Sequence, residues 1–111
     1  MSNATNKPQV LSFIRDSVCI NGTSLQGYLQ ATYDELVEVF GKPHYGPDAD
    51  EDKITCEWQM EYEDGTVATI YDYKTRSTPF GLYQWHIGGY TKQAVHNVYQ
   101  SFADNIVDKL D

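Results

Sequence analysis

The strictest constraint in this chain is an alternation. Ile54, Cys56, Trp58, Met60 and Tyr62 are apolar or aromatic, and Thr55, Glu57, Gln59 and Glu61 between them are polar. Successive side chains of a strand point to opposite faces, so this spacing predicts a half-buried strand. Glu63-Asp64-Gly65 then turns the chain, and Thr66 to Tyr73 returns. Two registers fit the turn. A two-residue Asp-Gly loop sets Trp58 opposite Tyr71. A three-residue loop with a left-handed Gly65 and a bulge sets Trp58 opposite Ile70. The first turns Ala68 and Ile70 outward and places Glu57 against Asp72, a poor like-charge pair. The second is therefore preferred. It gives Cys56, Trp58, Met60, Tyr62, Ala68 and Ile70 to the core, and Val67, Thr69, Tyr71 and Tyr73 to the opposite face.

The flanking sequence supplies the other elements. Residues 1–8 are polar and end in Pro, as a flexible terminus does, which leaves 9–111 as a single domain. Val10, Leu11, Phe13 and Ile14 fall at mixed spacing and fit a short helix slightly better than a strand. Ser17 to Ile20 is β-prone. Asn21-Gly22 after it suits a type I′ hairpin turn, with Thr23 to Leu29 returning. Gly27 within that run predicts a bulge or a close backbone approach. Thr32 and Glu35 form a capping box, and Tyr33, Leu36, Val37 and Phe40 share one helical face. Gly41 and Pro43 end that helix. Leu82 to Ile87 is a further strand closed by Gly88-Gly89. Thr91 caps a last helix that buries Ala94, Val95, Val98, Phe102 and Ile106 and turns His96, Asn97, Gln100 and Asp104 to water. The sum is an α+β fold: an antiparallel sheet of about four to five strands with two main helices packed on one face. The other face is left open or covered by a partner.

Charge narrows the function classes. Sixteen acids against eight bases leave a net charge of −8. Non-specific nucleic-acid binding needs clustered Lys and Arg, and an anionic membrane attracts the same residues, so neither is expected. The sequence holds no apolar run long enough to span a bilayer and no signal peptide, so a soluble cytoplasmic protein is expected. Cys19 and Cys56 lack metal or redox spacing and read as two reduced core thiols, although a single disulfide also fits. Asp48, Asp50, Glu51 and Asp52 lack the central Gly and closing Glu of a calcium loop and read as a solvated acidic loop. His44, His86 and His96 are too scattered for a metal site. No base stands beside a nucleophile. The chain is therefore expected not to be an enzyme and to need no cofactor.

Binding chemistry has more support. Tyr71, Tyr73, Tyr83, Tyr90 and Trp85 cluster in the sequence around the strands. Aromatic residues fill strands by preference alone, but they also make stacking surfaces for planar rings. If Trp85 is core, strand alternation puts His86 on the open face. Lys74 and Arg76 lie in the adjoining loop, and a guanidinium offers a bidentate fork for phosphate. Gly88 and Gly89 precede a helix, whose first amides can receive an anion.

Four stretches carry a resemblance: SLQGY (Ser24–Tyr28), YDELVEVFGKP (Tyr33–Pro43), DGTVATIYDYK (Asp64–Lys74) and WHIGG (Trp85–Gly89). Together, across residues 23–102, they resemble a family of small tailed-phage proteins that looks like the Thoeris anti-defence family of signalling-nucleotide sponges. The resemblance implies a protein of the infected host cytoplasm that sequesters a cyclic ADP-ribose-type signal or a cyclic oligonucleotide without cleaving it. It also implies assembly as a dimer or hexamer, with no membrane and no direct nucleic-acid contact. The ligand-binding set expected is Tyr71, Tyr73, Lys74, Arg76, Trp85, His86, Gly88 and Gly89. The rival expectation is an acidic inhibitor of a host nuclease or CRISPR effector, acting through Asp48, Asp50, Glu51, Asp52, Glu57, Glu61, Glu63 and Asp64.

Overall fold

A computed structural model describes residues 10–12, 20, 22–44 and 54–110, with side chains described throughout except in 10–12 and 105–110. Its elements are β1 (Val10–Ser12), β2 (Ser24–Ala31), α1 (Tyr33–Phe40), β3 (Glu57–Tyr62), β4 (Val67–Tyr71), β5 (Tyr83–Gly89) and α2 (Gln93–Leu110). The strands form one antiparallel sheet in the order β1-β3-β4-β5-β2. Both helices lie against one side of it, giving the α+β fold expected. Residues 1–8, Phe13 and Ile14, the expected strand from Ser17 as far as Cys19, and the acidic run 48–52 fall outside the described residues.

The β3–β4 register is the bulged one. Gly65 has φ +88° and donates its amide to the Tyr62 carbonyl at 2.9 Å, while Tyr62 donates to Thr66 at 2.8 Å. Trp58 pairs with Ile70 and Met60 with Ala68. Across β3, β4 and β5 one face of the sheet is thereby apolar or aromatic. Trp58, Met60, Tyr62, Ala68, Ile70, Trp85 and Ile87 all reach 0% exposure, and Leu36, Phe40, Ala94 and Val98 of the helices close over them. The two indoles meet edge to face at 5.5 Å. Each sends its N–H to a backbone carbonyl, Trp58 to Gly41 at 2.7 Å and Trp85 to Ala31 at 3.0 Å. Buried indole donors need such partners. They pin the end of α1 and the end of β2 onto the core.

Local signals explain both helices. The Thr32 hydroxyl accepts from the Glu35 amide at 3.1 Å, and the Thr32 amide donates to the Glu35 carboxylate at 2.9 Å. Gly41 closes α1 at φ +85°. The second helix approaches the sheet so closely that a Cβ on Gly89 would lie 2.5 Å from Ala94 Cβ, and one on Gly27 2.8 Å from Val95 Cγ2. Gly27 also follows the bulge predicted for it, between Leu25 and Gly27.

Four expectations are corrected. Val10 to Ser12 is a strand and not a helix, because the outer edge of β3 offers it a partner. Gly88-Gly89 does not end β5 but completes it, paired to Leu25 and Ser24 on one side and to Thr69 and Ala68 on the other. Asn97 does not face water: it is 3% exposed and donates to the Asp64 carboxylate at 3.1 and 3.3 Å. Burial works against that carboxylate, but the hydrogen bonds from Thr66 and Asn97 together hold it below its usual range. The helix-free face is not fully open either. Glu57, Gln59 and Thr69 on it are buried, and His44 runs along the edge of β3, donating its amide to Glu57 and accepting the Gln59 amide on Nδ1.

A buried carboxylate locks the sheet to the following loop. Asp72, 0% exposed, accepts the amides of Thr55 at 2.8 Å and Cys56 at 3.1 Å, and the hydroxyls of Thr55 and Thr75. Since Thr55 gives its proton to Asp72, Thr78 must donate to Thr55, at 2.8 Å. Replacing Asp72 with Ala strands four donors and should cost about 3 kcal/mol. Gly65→Ala meets no neighbour within 4 Å and should cost only the left-handed backbone penalty, about 1–2 kcal/mol. Urea midpoints of the two variants check the order. Equal losses would mean that Asp72 holds nothing that water cannot replace.

Candidate functional site

The helix-free face has one concentration of chemistry, centred on His86 in the middle of β5. Sheet register sets Tyr71 of β4 on one side of it and Tyr28 of β2 on the other. Tyr71 stacks on the imidazole at 5.3 Å and 26°. Tyr28 meets it edge-on at 5.1 Å. Tyr73, just past the end of β4, leans over it at 5.6 Å. Tyr28 and Tyr73 are each 40% exposed, so π surface is presented to solvent on both flanks. The next row along the face carries Gln84 and Gln30, paired and exposed.

Burial sets the electrostatics. It pushes His86 below the ordinary histidine range, with the Asp72 carboxylate and the Tyr71 backbone pulling the other way. His86 Nδ1 is buried with no hydrogen-bond partner. Burial raises Tyr71, with Glu57, Tyr28 and Tyr73 adding to the effect. Both shifts favour the uncharged forms of Tyr71 and His86. Positive charge borders the cluster. Lys74 Nζ lies 5.4 Å from the Tyr73 ring centre, a cation–π contact. Lys74 and Arg76 have φ +57° and +71°, a region that non-glycine residues seldom enter. The Asp72–Thr75 and Thr55–Thr78 hydrogen bonds hold the loop through them, and both side chains remain exposed.

Of the residues expected to bind ligand, Tyr71, Tyr73 and His86 are brought together, with Lys74 beside them and Arg76 on the same loop. Three are not. Trp85 is 0% exposed, held between Trp58 and Tyr83 in the core, and presents no ring face. A Cβ on Gly88 would sit 2.6 Å from Thr69 Oγ1, so this glycine serves close packing within the sheet. Gly89 lies beneath Ala94, and the first helical amide, that of Gln93, is taken by Thr91 Oγ1 at 3.2 Å. The next two, of Ala94 and Val95, go to the Thr91 and Lys92 carbonyls at 3.1 and 3.0 Å, so the first three helical amides are engaged within the chain.

Tyr28 is the member that sequence reasoning missed. Strand alternation alone gives its parity, but only the pairing of β2 with β5, between residues far apart in the chain, places it against His86. Among the described residues no three His, Cys, Asp or Glu gather as a metal would need. Cys56 is buried and is not part of a disulfide. What the site offers is ring faces, neutral donors and bordering cations, which is the chemistry of recognition. Comparison with family models, curated proteins and solved structures gave no match.

The depressed His86 makes stability depend on pH. An unfolded histidine takes up a proton near pH 6.5, about where the buried one still refuses it. The contribution is therefore full above about pH 6.5 and is lost as pH falls through the lower folded value. Urea unfolding between about pH 5 and 8 should show a steeper acid loss in the wild type than in His86→Gln. Parallel curves would show that His86 titrates alike in both states.

Proposed function

We propose that the chain is a non-enzymatic binding protein that captures a small nucleotide on the helix-free face. The observation that carries this is the gathering of Tyr28, Tyr71 and Tyr73 around a neutral His86, with Lys74 against the outermost ring. Exposed tyrosine faces stack on a base whatever its sequence context, and Lys74 with Arg76 supplies local cations for phosphate on an otherwise acidic protein. Sequestration of a host immune signal, of the cyclic ADP-ribose type or a cyclic oligonucleotide, is the role that fits. It accords with the phage resemblance, with assembly as a homo-oligomer and with action in the host cytoplasm. Among the described residues no helix is long and apolar enough to cross a membrane.

Among the described residues the acidic-inhibitor reading gains no such support; its Asp48, Asp50, Glu51 and Asp52 lie outside them. Glu57 is 7% exposed, and Asp64 is engaged by Thr66 and Asn97, so neither is free to mimic a phosphate row.

Isothermal titration with ADP, cyclic ADP-ribose and cyclic di-AMP tests the proposal. At least one should bind and be recovered intact. Arg76→Ala should weaken it by about 1.5–3 kcal/mol, the range of a charge-assisted contact. Tyr28→Ala should cost about 1–3 kcal/mol of stacking. If none of the three binds, the proposal fails.

A further inference from the structure

A groove of about 570 Å³ runs along the β2 edge, next to the aromatic cluster but containing none of the residues that the sequence had marked for ligand binding. Tyr28, Tyr99 and Phe102 supply its rings, Leu29 and Ala103 further apolar surface, and Gln30 and Gln84 its polar groups. No charged side chain lines it. Tyr28 belongs to both places: its ring abuts His86 and also walls the groove. The wall is preset. The Tyr99 hydroxyl donates to the Tyr28 carbonyl at 2.6 Å, and Lys92 Nζ to the Gln26 carbonyl at 2.6 Å. These bonds occupy two outward carbonyls of an edge strand and hold α2 to it, so the groove does not depend on a ligand to form.

Size, ring walls and a few convergent polar groups are what a small-molecule pocket has. Gln30 and Gln84 are register partners and exposed. A glutamine amide pairs in two places with a base edge that sets an amino donor beside a ring acceptor, as the N6/N7 edge of adenine does. We infer that this groove is the base-recognition subsite, that Gln30 and Gln84 determine base specificity, and that it takes an adenine-type edge. The inference rests on the nucleotide reading above and deepens it. The base lies against Tyr28 and Tyr99, and the phosphates extend along the face toward the cationic loop.

Two exposed positions test this without touching the aromatic cluster or the loop. Ala103→Trp fills the groove, and Gln84→Leu removes one reading amide. Titrations compare ADP and cyclic ADP-ribose with their inosine counterparts, in which a carbonyl replaces the amino group. The wild type should prefer the adenine ligand about tenfold, within the range of a bidentate base contact. Ala103→Trp should lose at least tenfold in affinity. Gln84→Leu should erase most of the adenine preference while remaining folded by circular dichroism. If Arg76→Ala weakens binding but both groove variants bind and discriminate like the wild type, the groove is not the base subsite, and the nucleotide reading stands. If no nucleotide binds the wild type, both fall. If Ala103→Trp alters the sedimentation of the protein while binding is unchanged, a second copy occupies the groove, and the inference is overturned.

Discussion

The left-handed turn at Gly65 decides which side of this sheet is which. A strand has period two, so a one-residue slip moves every side chain to the opposite face. With Gly65 at φ +88°, Trp58 meets Ile70 and the apolar residues of β3 and β4 fall on one side. Tyr71 is then committed to the other side, opposite His86. The tighter turn would have set Tyr71 across from Trp58 in the core. Core and candidate site are thus two consequences of one backbone conformation.

Other interactions hold the outcome in place. The two indoles tie β3 to Gly41 and β5 to Ala31. Asp72 binds the start of β3 to the loop that carries Lys74 and Arg76. That carboxylate sits one residue from Tyr71 and one from Tyr73, so the loop and the aromatic rings share an anchor. Asn97 straps the Asp64 turn to α2, and Tyr99 straps the β2 edge to the same helix. The aromatic face therefore rests on a scaffold fixed from both ends of the sheet, as a preorganised site requires.

What was legible in the sequence was local. The capping box at Thr32, the left-handed glycines at 41 and 65 and the alternation of β3 each state their geometry within a few residues. Their outcome sorted Tyr71, Tyr73 and His86 correctly onto the face opposite Trp58. What escaped depends on pairing between distant segments. Val10 to Ser12 becomes a strand only because β3 has a free edge. Gly88-Gly89 looks like a breaker, yet Thr69 on one face and Ala94 on the other leave no room for a Cβ. Asn97 lies on what the helical period calls the wet side, but the Asp64 turn comes up to meet it. Tyr28 and the groove behind it needed the β2–β5 register, which no short-range signal encodes.

The most direct test of the account is a nuclear magnetic resonance titration of the wild-type chain with cyclic ADP-ribose. It follows the Tyr and His ring signals together with the two indole N–H signals. The account predicts shifts at Tyr28, Tyr71, Tyr73 and His86. The Trp58 and Trp85 indoles, bonded to Gly41 and Ala31 within the core, should stay unmoved. Shifts confined to the indoles, or to α1 on the opposite side of the sheet, would contradict it.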